Sequence, residues 1–421
     1  ATAPDLSGTL KDGGRGAIGG SSRKRTKDIL IVAEVALAFI LLVGSGLMIR
    51  SFFQLMNVDT GFDATNVLTL GMPISTRRFP DTAQLNRYLT EVRTAVEAVP
   101  GVRETALSCA PPMQGTCYGM PMQLASRPVV DRANRQGGFY KIVSPSYFSA
   151  LKLKLIRGRA LSDRDVKNSP PVLVINERFA KRYFDKDDPI GQRILIQEII
   201  PGKTELGPEL AWEVVGIIQN EKLGVRDDQG VGVYVSNEQS PFYSMTLSVR
   251  AGVDPMTLQK SIRDAIHSVN KDQALSDVRT VDQIKEQALA PNRVQSTLMG
   301  IFGTVALLLS GIGIYGVISY SVAQRTHEIG IRAALGASAG SLLRLIVSRG
   351  LVLALIGLVI GVGGALGLTR VMERLLYGVG ARDPMTMSSV AVILAAVAVS
   401  ACYIPARRAT RVDPLVALRY E

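Results

Sequence analysis

The stretch Ile29–Ile49, ILIVAEVALAFILLVGSGLMI, carries one charged side chain, Glu34, in a run long enough to cross a hydrocarbon core of about 30 Å at 1.5 Å per residue. Three further runs of this kind come late in the chain: Leu298–Tyr320, Leu351–Leu368 and, more narrowly, Ser388–Ile404. Between the first and second lie about 250 residues of mixed, polar-faced sequence, far more than a loop and enough for one or two folded domains. Four runs near the spanning length argue against core helices of a soluble protein. The first is also too long for a signal-peptide apolar region, and it ends on Arg50 where small residues would be needed. The chain reads as an α+β membrane protein with four transmembrane helices and a large soluble insert between the first two.

Lys and Arg close to spans are retained on the cytoplasmic side. Arg23, Lys24, Arg25 and Lys27 precede the first span; Arg325, Arg332, Arg344 and Arg349 lie between the second and third; Arg407, Arg408, Arg411 and Arg419 follow the fourth. All three clusters fall on one side, against Arg50, Arg293, Arg370, Arg374 and Arg382 on the other. The expected arrangement is a plasma (inner) membrane protein with both termini cytoplasmic and the insert extracytoplasmic. These flanks account for much of the formal charge of +12 and suit anionic headgroups, so nucleic-acid binding is not invoked. A mean hydropathy of +0.20 agrees with a chain partly embedded in lipid. Cys109 and Cys117 lie in the insert, where an oxidising compartment would let them pair; two free thiols in a loop is the alternative, and sequence does not give their geometry. Cys402 sits in the last span as a small apolar filler.

Residues 1–28 contain no apolar run, and their glycines and serines predict a flexible linker. The chain starts at Ala1 without an initiator Met, as a fragment or the second half of a longer polypeptide would.

Two similar units bracket the insert. In one, a strand at Asn66–Met72 precedes a helical stripe of Leu85, Tyr88, Leu89, Val92, Val96 and Val99, closed by Pro100 and Gly101, then a strand at Val102–Ser108. In the other, Met245, Leu247 and Val249 alternate as a strand. Asp254 and Pro255 fit N-cap and N1 of a helix bearing Leu258, Ile262, Ala265, Ile266 and Val269, and Ser276–Val281 follows as a strand. Two β-α-β units predict a ferredoxin-like split fold, two helices on one face of a four-stranded sheet. Between them, roughly Phe139–Ser240 reads as an inserted strand-rich subdomain, with strands at Val172–Ile175, Gln192–Ile196, Trp212–Ile218 and Gly232–Val235. Thr280 and Gln283 have capping-box spacing for a helix toward the second span, which Pro291 is expected to kink or break.

The segment between the second and third spans, QRTHEIGIRAALGAS at 324–338, places Glu328 and Arg332 at i, i+4 and Gly336 at a C′ position. On these residues alone it is either an interfacial connector with snorkelling arginines or a docking helix for a cytoplasmic partner.

The span order, this segment and the closing PARRATRVDPLVALRYE at 405–421 resemble the permease part of the MacB/FtsX family of ABC systems over nearly the whole chain. The resemblance implies a MacB-like periplasmic core domain at 50–297, made of a porter unit with a sabre-like insertion at about 139–240. It implies an FtsX-like permease domain at 298–421, with spans at 298–320, 351–368 and 388–404 and a cytoplasmic tail at 405–421; the first span is 29–49. It makes the stretch at about 324–336 a coupling helix seated in a groove of the ATPase, contacting it through Gln324, Arg325, Glu328, Gly330, Ile331, Arg332 and Gly336. Glu328, Gly330, Arg332 and Gly336 match the recurring E-I-G-x-R-x-A-x-G pattern. The implied partners are a separate ABC ATPase subunit, a second permease module as homodimer or fused half, a periplasmic adaptor and the bilayer; no cofactor is implied. The implied function is transmission of ATPase motion to the periplasmic domain for efflux of a drug, peptide or lipid. An FtsX-like signalling, enzyme-activating or lipoprotein-releasing subunit is the rival, and a membrane-tethered extracytoplasmic enzyme a third class.

Enzyme motifs are weak. Gly202, Lys203 and Thr204 lack the first glycine of a P-loop, with Gln197 in its place. Leu309, Ser310 and Gly311 resemble the start of an ABC signature, and Gly311, Gly313 and Gly316 match G-x-G-x-x-G, but both lie inside a span. His327 and Glu328 begin like a zinc-protease motif with Ile331 where the second His belongs, and the only other histidine is His267. Asp163 with Asp165, and Asp187 with Asp188, read as solvated loop and helix-start residues. Gly357 with Gly361, and Gly363 with Gly367, have G-x-x-x-G spacing for a neighbouring span or a dimer contact. Glu34 is near enough to the cytoplasmic face to be solvated, with proton coupling as the alternative.

Overall fold

A computed structural model of the chain describes residues 19–185, 187–225, 230–324, 331–332, 338–380 and 382–409. Two compact units emerge: Ala1–Met56 with Pro291–Glu421, and Asn57–Ala290. Helix α1 spans Gly19–Met56, so the linker expected over 1–28 gives way to helix at Gly19. Helix nucleation is costly but extension adds one hydrogen bond per residue, so an apolar span propagates into a polar flank that contains no proline. Residues 1–18 lie outside the described residues.

In the second unit, β1 (Val67–Pro73), α2 (Thr82–Glu97) and β2 (Val102–Ser108) form the first β-α-β. Asp81 caps α2 by accepting from Ala83 N at 3.2 Å, and Leu85, Leu89, Val92 and Val96 bury its apolar stripe. The chain then runs through β3 (Tyr118–Leu124), β4 (Gln136–Val143), α3 (Tyr147–Ala150), β5 (Leu155–Gly158), β6 (Val172–Asn176), α4 (Glu177–Tyr183), β7 (Arg193–Ile199), β8 (Leu206–Ile218) and β9 (Gly232–Ser236). It returns as β10 (Ser244–Ala251), a 3₁₀ turn at Pro255–Leu258 capped by Asp254, α5 (Gln259–Val269) and β11 (Ser276–Thr280).

The order β11-β1-β10-β2, antiparallel throughout, is the split ferredoxin-like arrangement read from sequence. Two features differ. The excursion begins at β3, ahead of Phe139, because Tyr118–Leu124 holds a glycine and a proline and shows little strand alternation. The four-stranded sheet does not end at β2 either. Ser108 pairs with Val143, flanked by Cys109 N to Ile142 O (3.0 Å) and Ser144 N to Leu107 O (2.8 Å), joining both regions into one sheet of 11 strands among the described residues.

Two polar clusters fix the unit internally. Lys141 on β4 and Glu221 after β8 have fully buried side chains, with Lys141 Nζ 2.8 Å from Glu221 Oε1. Lys141 Nζ donates to Tyr147 OH (2.7 Å), while Tyr147 OH and Tyr234 OH donate to Glu221 at 2.8 and 3.0 Å. Burial first, then the Glu221 charge, pushes both phenols well above their ordinary range and keeps them as donors. In the other cluster, Arg250 on β10 reaches Ala150 O (2.5 Å), Thr65 O (3.0 Å) and Asp63 O (2.6 Å). Asp63 pairs with Lys152 at 2.7 Å, and this bond first, with help from Thr65 and Arg250, holds its carboxyl well below the usual range.

The remaining helices are α6 (Val281–Gln324), α7 (Ala339–Met372) and α8 (Pro384–Ala409). Thr280 N donates to Gln283 Oε1 (3.0 Å) and Gln283 N to Thr280 Oγ1 (3.1 Å), a complete capping box at the start of α6. The helix runs unbroken through Pro291, so no break occurs there: proline removes one donor, and regular turns on both sides keep the remaining ladder. With α1, four helices are long and apolar enough to cross a membrane.

Replacing Lys141 with Met should strand the buried Glu221 charge and destabilise the unit by about 3–5 kcal/mol, while Lys141→Met with Glu221→Leu should recover most of that loss. Thermal unfolding of the three proteins checks the order. Since Asp63 has a folded pKa below its unfolded value of about 3.9, its contribution is complete above about pH 4 and is lost as pH falls further. Asp63→Asn should therefore show a shallower fall in Tm than wild type between pH 5 and pH 3.

Candidate functional site

The membrane unit is assembled on glycine. Residues of α1 and α7 pair in ascending order on both helices, so the two run parallel. A Cβ added at Gly357 would lie 2.9 Å from Val32 O, one at Gly361 3.1 Å from Ala36 O, and one at Gly364 2.6 Å from Ile40 Cδ1. Backbones approach this closely only where side chains are absent. Gly357 and Gly361 thus serve packing within the chain, whereas Gly363 and Gly367 meet nothing within 4 Å among the described residues.

The seam between α1 and α6 is antiparallel. Gly300 faces Ile49, Gly303 faces Ser45, and Gly313 faces the carboxylate of Glu34, which fills the space a Cβ would need. Ser45 Oγ donates across it to Met299 O (2.5 Å), and Ser296 Oγ to Met48 O (3.2 Å). Glu34 is half-buried against α6 and not simply solvated: the absent side chain at Gly313 leaves a notch that the acid occupies. Cys402, fully buried, packs against Gly350.

Polar groups mark both ends of the bundle. At one end Lys27 Nζ lies 3.3 Å from the Tyr320 ring centre, Arg349 pairs with Asp28 at 3.3 Å, and Arg408 donates to Tyr315 OH at 3.3 Å. At the other, Asp383 caps α8 by accepting from Thr386 N (2.9 Å) and Thr386 Oγ1 (2.5 Å), and it also pairs with Arg50. These contacts, the Thr386 hydroxyl first, hold the Asp383 carboxyl below its ordinary pKa. Sequence reading missed this pair, because the two residues lie far apart along the chain.

Of the coupling residues read from sequence, Gln324 is the last residue of α6, and its Nε2 donates to Tyr320 OH at 2.9 Å. Ile331 and Arg332 are helical and exposed. Arg325, Glu328, Gly330 and Gly336 lie outside the described residues, as does His327. Ser338 caps α7, accepting from Ser341 N at 3.3 Å.

The remaining motifs are structural. Gly202 to Thr204 occupy the β7–β8 connection, with Gly202 at φ +76°, where a P-loop would need a strand-to-helix turn. His267 on α5 lies 3.1 Å from Gln273 O. Asp165 is not solvated: its two oxygens lie 2.9 and 2.8 Å from Arg159, and it accepts from Ser162 N at 2.7 Å. Asp188 pairs with Arg157 at 2.8 Å.

Comparison with known proteins gives a consistent answer. Residues 29–265 match the MacB-like periplasmic core domain and residues 300–414 the FtsX-like permease C-terminal domain. Macrolide export ATP-binding/permease protein MacB 2 of Aeromonas hydrophila is 26% identical over 66% of this chain and 43% of its own length. The ABC transporter permease YknZ of Bacillus subtilis is 27% identical over 66% of this chain and 69% of its own. Pyoverdine export ATP-binding/permease protein PvdT of Pseudomonas syringae is 28% identical over 63% of this chain and 40% of its own. The chain therefore spans less than half of the MacB 2 and PvdT relatives. The crystal structure of the periplasmic region of MacB from Actinobacillus actinomycetemcomitans aligns with 56% of this chain and 97% of its own at 16% identity, TM-score 0.37.

Cys109, just after β2, and Cys117, just before β3, have Cα atoms 5.7 Å apart, a spacing a disulfide bridges. Alkylation of the unfolded, unreduced protein should label one cysteine, and after reduction three. Cys109→Ser should cost about 2–3 kcal/mol by loop closure across a sequence separation of 8.

Proposed function

The chain belongs to the MacB/FtsX-type family of ABC permeases, and from that premise we propose that it is the membrane transmitter of an ATP-driven export system moving a drug, peptide or lipid. The observation that carries this reading is the continuity of α6. The helix starts on the capping box that follows β11 and ends at Gln324, the first residue of the coupling segment. A displacement applied at the segment between α6 and α7 is thus delivered to a helix that begins at the edge strand of the extracytoplasmic sheet, while α1 provides the second connection.

ATP hydrolysis is supplied by an ATPase seated on residues 324–336, and a second permease module completes the bundle. Both termini are cytoplasmic, following the three Lys and Arg clusters. An adaptor continues the path outside the membrane. The ATP-binding function, macrolide export and pyoverdine export in the relatives' names belong to those proteins; the transmitter role alone is carried over here. Covalent chemistry is assigned to no residue of this chain.

Purification of the full-length system from its native membrane should bring an ATP hydrolase with it. An Arg332→Glu, Gly330→Trp double variant that remains folded should lose that hydrolase. Full retention by the variant, or no hydrolase with wild type, would overturn the docking assignment.

A further inference from the structure

The loop that joins β3 to β4 presents an apolar tip to water and is built to keep it there. Val129 is 82% exposed, more than any other large apolar side chain among the described residues, and Val130 beside it is exposed too. Gln123 on β3 is buried and commits its amide to this tip. Its Nε2 donates to Pro128 O (3.0 Å) and its Oε1 accepts from Val130 N (3.2 Å), one bond on each side of Val129. Arg135 Nε donates to Val130 O (3.1 Å), and Arg127 Nη2 donates to Tyr183 O at the end of α4 (2.6 Å). Burying an amide is unfavourable unless its bonds are made, and here they are made to the backbone of an exposed valine. A loop that served only as a connection would need none of this.

Two clefts share the loop. One, of about 180 Å³, has Met122, Leu124, Val130 and Tyr183 among its walls, with Arg127 and Arg135 also lining it. The other, of about 630 Å³, is lined by Arg132 and Ala133 of the loop and has a nearly bare floor. Gly119 and Pro121 of β3 and Gly137 of β4 form that floor, and a Cβ added at Gly119 would meet nothing within 4 Å. Glycine in a strand leaves room for a second backbone to approach. The charge is one-sided as well: Arg127, Arg132 and Arg135 stand against Asp131 and Glu209. Arg135 pairs with Glu209, whereas the Arg132 side chain is exposed and makes no hydrogen bond or ion pair among the described residues.

We propose that this loop and its two clefts form a docking surface for an extended acidic segment of another polypeptide, one that carries a large apolar side chain between carboxylates. The chemistry selects this occupant. The smaller cleft takes the apolar side chain, the glycine floor takes backbone, and Arg132 offers a planar fork to a carboxylate. A basic segment would be repelled, and an anionic polysaccharide would leave the valine tip and the apolar cleft uncovered. Because the tip is already fixed by Gln123, little ordering cost is left for the moment of binding. The surface belongs to the extracytoplasmic unit and does not depend on the transmitter reading.

The test is fluorescence anisotropy of short labelled peptides against the full-length protein in zwitterionic lipid nanodiscs, with empty discs as background. The probes are a peptide of glutamates around a central leucine, its counterpart with lysines for glutamates, and its counterpart with serine for leucine. Wild type should bind the first saturably, the second not at all and the third more weakly. Val129→Asp and Arg132→Glu should each weaken binding of the first at least about fivefold, with thermal unfolding unchanged because both side chains are exposed. No saturable binding of the acidic leucine peptide, equal binding of its lysine counterpart, or unchanged affinity in both variants overturns the surface. Equal binding of the leucine and serine peptides, with full displacement by polyglucuronate, assigns it to an anionic sugar and rejects the polypeptide. Hydrolase association is a separate measurement, so failure here leaves the transmitter reading where it stands.

Discussion

The extracytoplasmic unit depends on one buried ion pair. Lys141 and Glu221 are both sealed from solvent, and their mutual attraction offsets desolvation only because Tyr147 and Tyr234 occupy the lone pairs that remain. Geometry explains its position. Strands β4 and β9 are parallel neighbours, which no hairpin can join, and more than eighty residues separate them in sequence. An apolar core would hold such a pairing without specifying it. A charge that must meet its partner specifies the register of β4 on β9, the seat of α3 and the path of the chain after β8 together. Arg250 does the same at the entry segment, where three backbone carbonyls around one guanidinium leave the chain from Asp63 to Thr65 a single course.

The membrane unit is held differently, because lipid gives apolar helices no reason to associate. Close backbone approach replaces hydrophobic burial, and glycine permits it. The parallel seam between α1 and α7 uses Gly357, Gly361 and Gly364, while the antiparallel seam between α1 and α6 uses Gly300, Gly303 and Gly313. One helix thus receives glycines from two others, and Ser45 and Ser296 add hydrogen bonds to backbone carbonyls across the second seam. The G-x-G-x-x-G run of α6, meaningless as a nucleotide loop inside a span, acquires a physical role at Gly313, which admits Glu34.

Much of this was legible in the residues. Apolar run length gave the four spans, and apolar stripes gave α2 and α5. The capping box at Thr280 and Gln283 and the Asp254–Pro255 start were readable because local geometry alone determines them. The ferredoxin-like order followed from two β-α-β patterns. Other features were hidden for physical reasons. β3 carries too little alternation to announce itself, and the extension of α1 through a glycine- and serine-rich flank reflects propagation from a neighbouring span. Asp165 looked like a loop acid because Arg159, which buries it, has no sequence marker as its partner. Lys141 with Glu221, and Arg50 with Asp383, are long-range pairings that no local pattern encodes. The docking role proposed for residues 324–336 rests on a residue pattern, whereas contact geometry is a property of the assembled pair.

The meeting of β2 with β4 has a mechanical consequence. An eleven-stranded sheet would ordinarily resist load as one plate, but here its four-stranded part joins the rest through a single rung, Ser108 opposite Val143, with one backbone hydrogen bond on each side. The strand ladder is scored at that rung, and the bonds that stitch across it are Leu107 N to Ser144 Oγ (2.9 Å), Ser146 Oγ to Thr105 O (2.7 Å) and Arg250 Nε to Ala150 O (2.5 Å). Cys109 stands directly beside the score line, donating its N–H to Ile142. A covalent link from there to Cys117 would act as a rivet at the tip of a crack, setting how far the two leaves can part before the fold itself gives way.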